Sequence, residues 1–198
     1  MNKNTLNQQV GFDMAKKHKK AIIIFVAIVI VAVFCVTSFF VARAKIYPTK
    51  YVEEIKTYSS QFNLPAPLVA SVINTESSFN KNAQSNKGAI GLMQIKISTA
   101  QYMINYYNLN INLSQQNLFE VEQNLYFGCM YLNYLLNKFK DTNTALASYN
   151  AGETVVRSWL KNEQYSTDGK TLISIPYPET KNYVEKVNKN LKHYSKIF

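Results

Sequence analysis

An all-α domain carried behind one membrane-crossing helix is the architecture this sequence predicts, and three observations predict it. Apolar side chains recur every three or four residues along most of the chain, sustained two-residue alternation is missing, and one N-terminal run is apolar throughout. The 198 residues suffice for one core of ordinary size once that run is set aside, and not for a second full domain.

The run from Ala21 to Ala42 contains no charged side chain and is dominated by Ile, Val, Phe and Ala. Coiled as a helix it reaches roughly 33 Å, which matches a hydrocarbon core of about 30 Å. Lys16, Lys17, Lys19 and Lys20 crowd its N-terminal flank, whereas Arg43 and Lys45 alone lie close on the other. The positive-inside tendency then keeps the N-terminus cytoplasmic and sends the rest outward. Ala42-Arg43-Ala44 resembles a signal-peptidase site. The apolar run is nevertheless longer than the roughly 7–15 residues of a signal sequence, so a retained single-pass anchor in the cell membrane is expected. The predicted organisation is a cytoplasmic tail over 1–20, a transmembrane helix over 21–42, a connector over 43–50 containing Pro48, and one domain over 51–198. Extended, the connector reaches only about 28 Å.

The elements of the domain follow in order. Val52, Ile55, Tyr58 and Phe62 mark a helix over about Thr49 to Gln61, and Val69, Val72 and Ile73 line a second that begins near Pro65. Ser98-Thr99-Ala100-Gln101 has the form of a capping box and predicts a third helix running through Tyr106. Leu118, Val121, Leu125, Cys129, Leu132, Leu136 and Phe139 trace a long buried helix that takes in Glu120 and Glu122. Shorter helices are expected at about Thr142 to Tyr149 and Glu153 to Lys161, and a last one after Pro178 with Val184, Val187 and Leu191 inside. Two loops remain, one over about Asn80 to Ile97 with Gly88 and Gly91, the other over Gln164 to Pro178.

Charge and cysteine usage exclude several functions. The net charge of +10 splits into +4 on residues 1–20 and +6 on residues 43–198, a mildly basic outer domain that suits an anionic cell envelope better than nucleic acid. Cys35 falls in the span and Cys129 in the domain, so no disulfide framework forms between them. With only His18 and His193 besides, no metal, cofactor or thiol chemistry is expected.

Three features bear on chemistry. Glu76 continues the stripe of Val69, Val72 and Ile73, which puts a carboxylate on a core-facing helix side near the negative end of the helix dipole. Both effects disfavour ionisation and raise the pKa toward what a general acid needs. A helix-terminal glutamate turned to solvent or paired with a lysine is the plainer reading. Gly88-Ala89-Ile90-Gly91-Leu92-Met93-Gln94 reads either as a simple glycine turn or as a backbone brought close to a ligand, with Gln94 offering donor and acceptor to it. Ser148-Tyr149-Asn150-Ala151-Gly152 reads either as a helix end capped by Gly152 or as a polar ledge beside a cleft.

Taken together and in order, Glu76-Ser77-Ser78-Phe79, Gly91-Leu92-Met93-Gln94, Tyr149-Asn150-Ala151-Gly152 and Glu179-Thr180-Lys181-Asn182-Tyr183-Val184 resemble the catalytic domain of the soluble lytic transglycosylase family. The resemblance covers about Tyr51 to Lys192 and implies an all-α, lysozyme-like fold with a glycan-binding cleft. It places Glu76 in the catalytic position, Ser85, Gln94, Tyr149 and Asn150 in sugar-contacting positions, and Tyr183 close to the catalytic carboxylate. Two departures stand out: Lys96-Ile97 where the family commonly has Met-Pro, and Ser148 where it usually has alanine.

The chemistry the resemblance implies is cleavage of the bond between N-acetylmuramic acid and N-acetylglucosamine in peptidoglycan, closing a 1,6-anhydro ring. No second acid is assigned a role by a comparable motif; Glu153, at a helix start in the sequence pattern, is expected to be solvated or to face the helix dipole. A goose-type muramidase, which delivers water instead, and a non-catalytic wall-binding module are the alternatives. General wall turnover and the opening of the wall for secretion, conjugation or sporulation machinery are both compatible with that chemistry.

Overall fold

A computed structural model describes residues 3–198; Met1 and Asn2 of the expected tail lie outside the described residues. Residues up to Ile46 form one compact unit and Tyr47–Phe198 another.

The first unit is one helix, α1 (Lys3–Ile46), which extends beyond the apolar run at both ends. Its stretch Lys16–Ile46 is long and apolar enough to cross a membrane, with a mean hydropathy of 3.1 in its most apolar window. Large apolar side chains such as Ile22, Phe25, Phe34 and Phe40 stand exposed along it.

The second unit is built of helices: α2 (Val52–Gln61), α3 (Ala66–Ser77), α4 (Ile97–Tyr106), α5 (Val121–Phe139), α6 (Thr142–Ala151), α7 (Glu153–Leu160) and α8 (Pro178–Tyr194). A two-residue hairpin, β1 (Ala89–Ile90) with β2 (Ile95–Lys96), is the only sheet among the described residues. α3 packs chiefly on α8, α5 on α6, and α2 bridges α3 and α5. The apolar stripes meet as their periodicity requires: Val69, Val72 and Ile73 of α3, Leu125, Leu132 and Leu135 of α5, and Val187 of α8 are fully buried. Each such side chain removed from water contributes about 1.5–3 kcal/mol, which is why the stripes outweigh local propensity.

Element ends differ from the sequence pattern where tertiary pairing decides them. α2 starts at Val52 rather than Thr49, behind Tyr51 in the left-handed region. α4 begins at Ile97 with Lys96 as its N-cap, and no side chain caps it. The Ser98 capping box therefore does not form: strand β2 runs straight into the helix and places Ser98 inside the first turn. A capping box does form at Ser114 and Asn117, at the start of a 3₁₀ turn, Gln115–Phe119. That turn holds Leu118, so α5 starts only at Val121 and Glu120 precedes it. The second loop has no regular element, and Asp168 organises it by accepting the N–H groups of Lys170 and Thr171, both at 2.7 Å.

Candidate active site

Glu76 lies in the last turn of α3, and the chain leaves the helix sharply just after it. Ser78 and Phe79 adopt left-handed φ values of 51° and 63°, and the Ser78 N–H returns to the Asn74 carbonyl as a cap. Phe79 is buried, which anchors the turn. Glu76 thus stands at the edge of the packed stripe, half-buried, on the floor of a cleft of about 300 Å³.

The glycine loop forms one wall, and four side chains hold it. Asn124, buried in α5, accepts the Met93 N–H and donates to the carbonyls of Ile90 and Leu118, each bond 2.8 Å long. Tyr149 Oη donates to the Met93 carbonyl at 2.9 Å, and Ser77 Oγ donates to the Leu92 carbonyl at 2.8 Å. The Gln94 amide donates to the carbonyls of Ala83 and Gly91, which stabilises its own left-handed backbone, φ 49°. The loop is thus tied to α3, α5 and α6 ahead of Lys96-Ile97. Gly128 completes the fit, since a Cβ there would approach Met93 Sδ to 2.3 Å.

Ser85, Gln94, Tyr149 and Asn150 line the cleft together with Glu76. Several of their polar atoms are committed to protein. Both amide hydrogens of Gln94 serve the loop, so its oxygen alone faces a ligand; Ser85 Oγ accepts the Ala89 N–H at 3.0 Å and keeps its own hydrogen to donate. Asn150 Oδ1 accepts from Thr180 Oγ at 2.8 Å, which leaves its amide hydrogens for a ligand. Tyr183 is not on the wall. It is buried in α8 behind the carboxylate, near enough to favour the charged form of Glu76, yet its hydroxyl meets no partner in hydrogen-bond geometry.

Burial dominates the electrostatics of Glu76 and pushes its pKa from 4.5 to about 7, against the opposing pull of Tyr183 and of the Lys186 charge. Burial, with the nearby Glu76 charge, also drives the Tyr149 and Tyr183 hydroxyls well above their ordinary range, so both stay neutral.

The motif residues do not account for the whole cleft. Thr99, Tyr131, Lys87, Lys96 and Glu179 also line it. Glu179, at the start of α8, supplies a second carboxylate; it heads the fourth motif, but the sequence reading gave it no role. Asn124 was also missed, although a polar residue three positions after Val121 on a buried stripe was the available signal. Glu153 is neither solvated nor a simple partner of the helix dipole. Lys138 and Arg157 pair with its carboxylate at 2.7 Å each, and Tyr134 donates to it at 2.8 Å. Burial opposes that charge, but these partners prevail and hold its pKa below the usual range. Among the described residues no cluster of His, Cys, Asp or Glu has the makings of a metal site.

Comparison with known proteins bears on the family and the fold. The chain is 33% identical over 143 residues to the soluble lytic murein transglycosylase of Escherichia coli, covering 71% of this chain and 22% of that protein. It is 28% identical over 169 residues to the membrane-bound lytic murein transglycosylase C of Histophilus somni, covering 75% of this chain and 47% of that one. The chain therefore spans about a fifth and just under half, respectively, of these relatives' lengths. The crystal structure of the 70 kDa soluble lytic transglycosylase of E. coli superposes with a TM-score of 0.67 at 29% identity, over 76% of this chain and 25% of that chain. The all-α, lysozyme-like fold is thus shared. The Transglycosylase SLT domain family matches residues 53–172, more than half of the sequence, and the chain belongs to that family.

Proposed function

We propose that this protein is a membrane-anchored lytic transglycosylase that cleaves peptidoglycan glycan strands with Glu76 as its acid and base. The observation that carries the reading is the Glu76 carboxyl, desolvated on the cleft floor with a pKa of about 7. Near neutral pH such a group is available both as proton donor and, once spent, as proton acceptor.

In this reading the protonated carboxyl of Glu76 gives its proton to the oxygen joining N-acetylmuramic acid C1 to N-acetylglucosamine, and that bond breaks. The muramic 2-acetamido oxygen stabilises the electron-poor C1. The Glu76 carboxylate then removes the proton of the C6 hydroxyl, and O6 bonds to C1 to close the 1,6-anhydro ring. Glu76 ends protonated as it began, and no water is consumed. Ser85 Oγ, the Gln94 oxygen and the Asn150 amide orient the sugars, while Tyr149 fixes the wall that carries Gln94. Tyr183, buried nearby, favours the charged form that the carboxyl takes once its proton is spent.

Glu179 favours a second reading, hydrolysis, in which it would hold an attacking water; two carboxylates are the usual set for glycosidases. A non-catalytic glycan-binding module has no use for the desolvated Glu76. α1 keeps the N-terminus in the cytoplasm and the domain on the outer face of the membrane. That placement suits local opening of the wall for secretion, conjugation or sporulation machinery.

Mass spectrometry of products from purified peptidoglycan tests the reading. Muropeptides ending in 1,6-anhydro-N-acetylmuramic acid, lighter by one water and inert to borohydride, are expected, and they should vanish with Glu76→Gln. Reducible ends would install hydrolysis instead, and full activity of Glu76→Gln would remove the catalytic assignment.

A further inference from the structure

The cleft carries positive charge that bond cleavage leaves unused. Lys87 and Lys96 both line it, and the hairpin explains how. The register pairs Ala89 with Lys96, so these two residues share a face, and Ala89 lines the cleft as well. Lys87 sits at the third position of the turn closed by the Gly88 N–H on the Ser85 carbonyl at 3.0 Å. Both lysines are exposed, and neither forms an ion pair among the described residues. Glu179 and Glu76 are the other charged groups of the lining. With Glu76 protonated, as the acid step requires, two cations stand against one carboxylate. The N-acetylated sugar rings are uncharged and offer these cations hydrogen-bond acceptors but no counter-charge. The anionic groups close to a glycan strand of peptidoglycan are the carboxylates of the peptide stems on its lactyl groups.

We propose that Lys87 and Lys96 form a carboxylate-binding subsite on the cleft wall, which takes a free carboxylate of a peptide stem while the sugars lie over Glu76. The assignment rests on the glycan-cleaving reading for its substrate. It makes stem charge a determinant of where along a strand the enzyme acts.

Binding tests it apart from catalysis. The full-length Glu76→Gln chain in detergent is co-sedimented with sacculi freed of teichoic acid, either native or with their carboxyls converted to carboxamides by carbodiimide and ammonia. Native sacculi should bind more tightly, by about three- to tenfold as befits solvent-exposed ion pairs, and the preference should weaken with salt. Adding Lys87→Gln and Lys96→Gln should abolish the preference without changing affinity for amidated sacculi, and Lys87→Arg with Lys96→Arg should restore it. The subsite is overturned if the parent shows no preference, if the preference survives the glutamine pair, or if Lys161→Gln with Lys170→Gln removes it equally, since net charge alone would then explain it. The reaction fails separately. A wild-type chain that prefers native sacculi but releases no anhydro-ended muropeptide keeps the subsite and loses the transglycosylase reading.

Discussion

A Cβ placed on Gly91 would stand 2.2 Å from Nδ2 of Asn124, the amide that ties the glycine loop to α5. Gly91 also holds φ at 74°, so a side chain there is strained before any contact is counted. Gly91→Ala should therefore displace Asn124 and cost about 2–4 kcal/mol, through the strained φ and the polar groups left unpaired. Asn124→Ala should cost a similar amount, since the Met93 N–H and the carbonyls of Ile90 and Leu118 lose their partner. Denaturant melts check both. A loss below about 0.5 kcal/mol in each would mean that the loop is held by other means.

The raised pKa of Glu76 sets a pH dependence whose sign differs from that of a paired carboxylate. The folded chain binds this proton more tightly than the unfolded one, with a pKa of about 7 against 4.5. Stability is thus fully present below pH 4.5, declines as pH rises toward 7, and stays lower above it by about 3 kcal/mol at most. Glu76→Gln should remove that decline and make the protein more stable than the parent at pH 8. Activity should fall as pH rises through 7, because the first step needs the protonated acid. Parallel pH–stability curves for parent and mutant would show that the carboxyl is not desolvated.

Tyr183→Phe separates support of the carboxyl from packing. The hydroxyl is buried without a well-formed partner, so its removal should leave the melting temperature unchanged or slightly raised. It also removes a group that favours the Glu76 charge, and the alkaline limb of the pH–rate profile should then move to higher pH. An unmoved limb with lost stability would make Tyr183 a packing residue alone.

How legible this site was depended on the range of the contacts. Glu76 could be read because the period that places it, i, i+3, i+4 and i+7, is local to one helix. Gly91 could be read as a turn, since positive φ leaves a local mark. The reason that turn is rigid could not, because Asn124 meets Met93 across 31 residues and a lone Asn in a helix looks tolerable until its partners are known. Glu153 misled for the same reason: its place at a helix start is local, whereas Lys138 and Tyr134 arrive from α5. Ser98 carried the right letters for a cap, but pairing of β1 with β2 moved the helix start to Ile97.

Tyr149→Phe should cost about 1 kcal/mol, the worth of its bond to the Met93 carbonyl, because the hydroxyl supports the wall as well as the cleft. Activity should fall while glycan binding by the folded fraction changes little. Unchanged activity would mean that Asn124 and Ser77 suffice to fix the wall.

The last prediction concerns the second carboxylate and decides between the two cleavage modes. Glu179 lines the cleft at the first turn of α8. Its side chain is exposed, unlike the desolvated Glu76. If cleavage proceeds by ring closure on C6, the reaction has no step for it, and Glu179→Gln should retain at least about a third of the parent rate. Glu76→Gln, which removes the acid and base, should lose about 10²–10⁴-fold. If Glu179 instead positioned a water, its loss should fall in that same range, with reducible ends among the parent's products. The two variants are compared on the same sacculi, with product ends scored by borohydride reduction. Equal and severe losses would replace the one-carboxylate mechanism with a two-carboxylate hydrolysis.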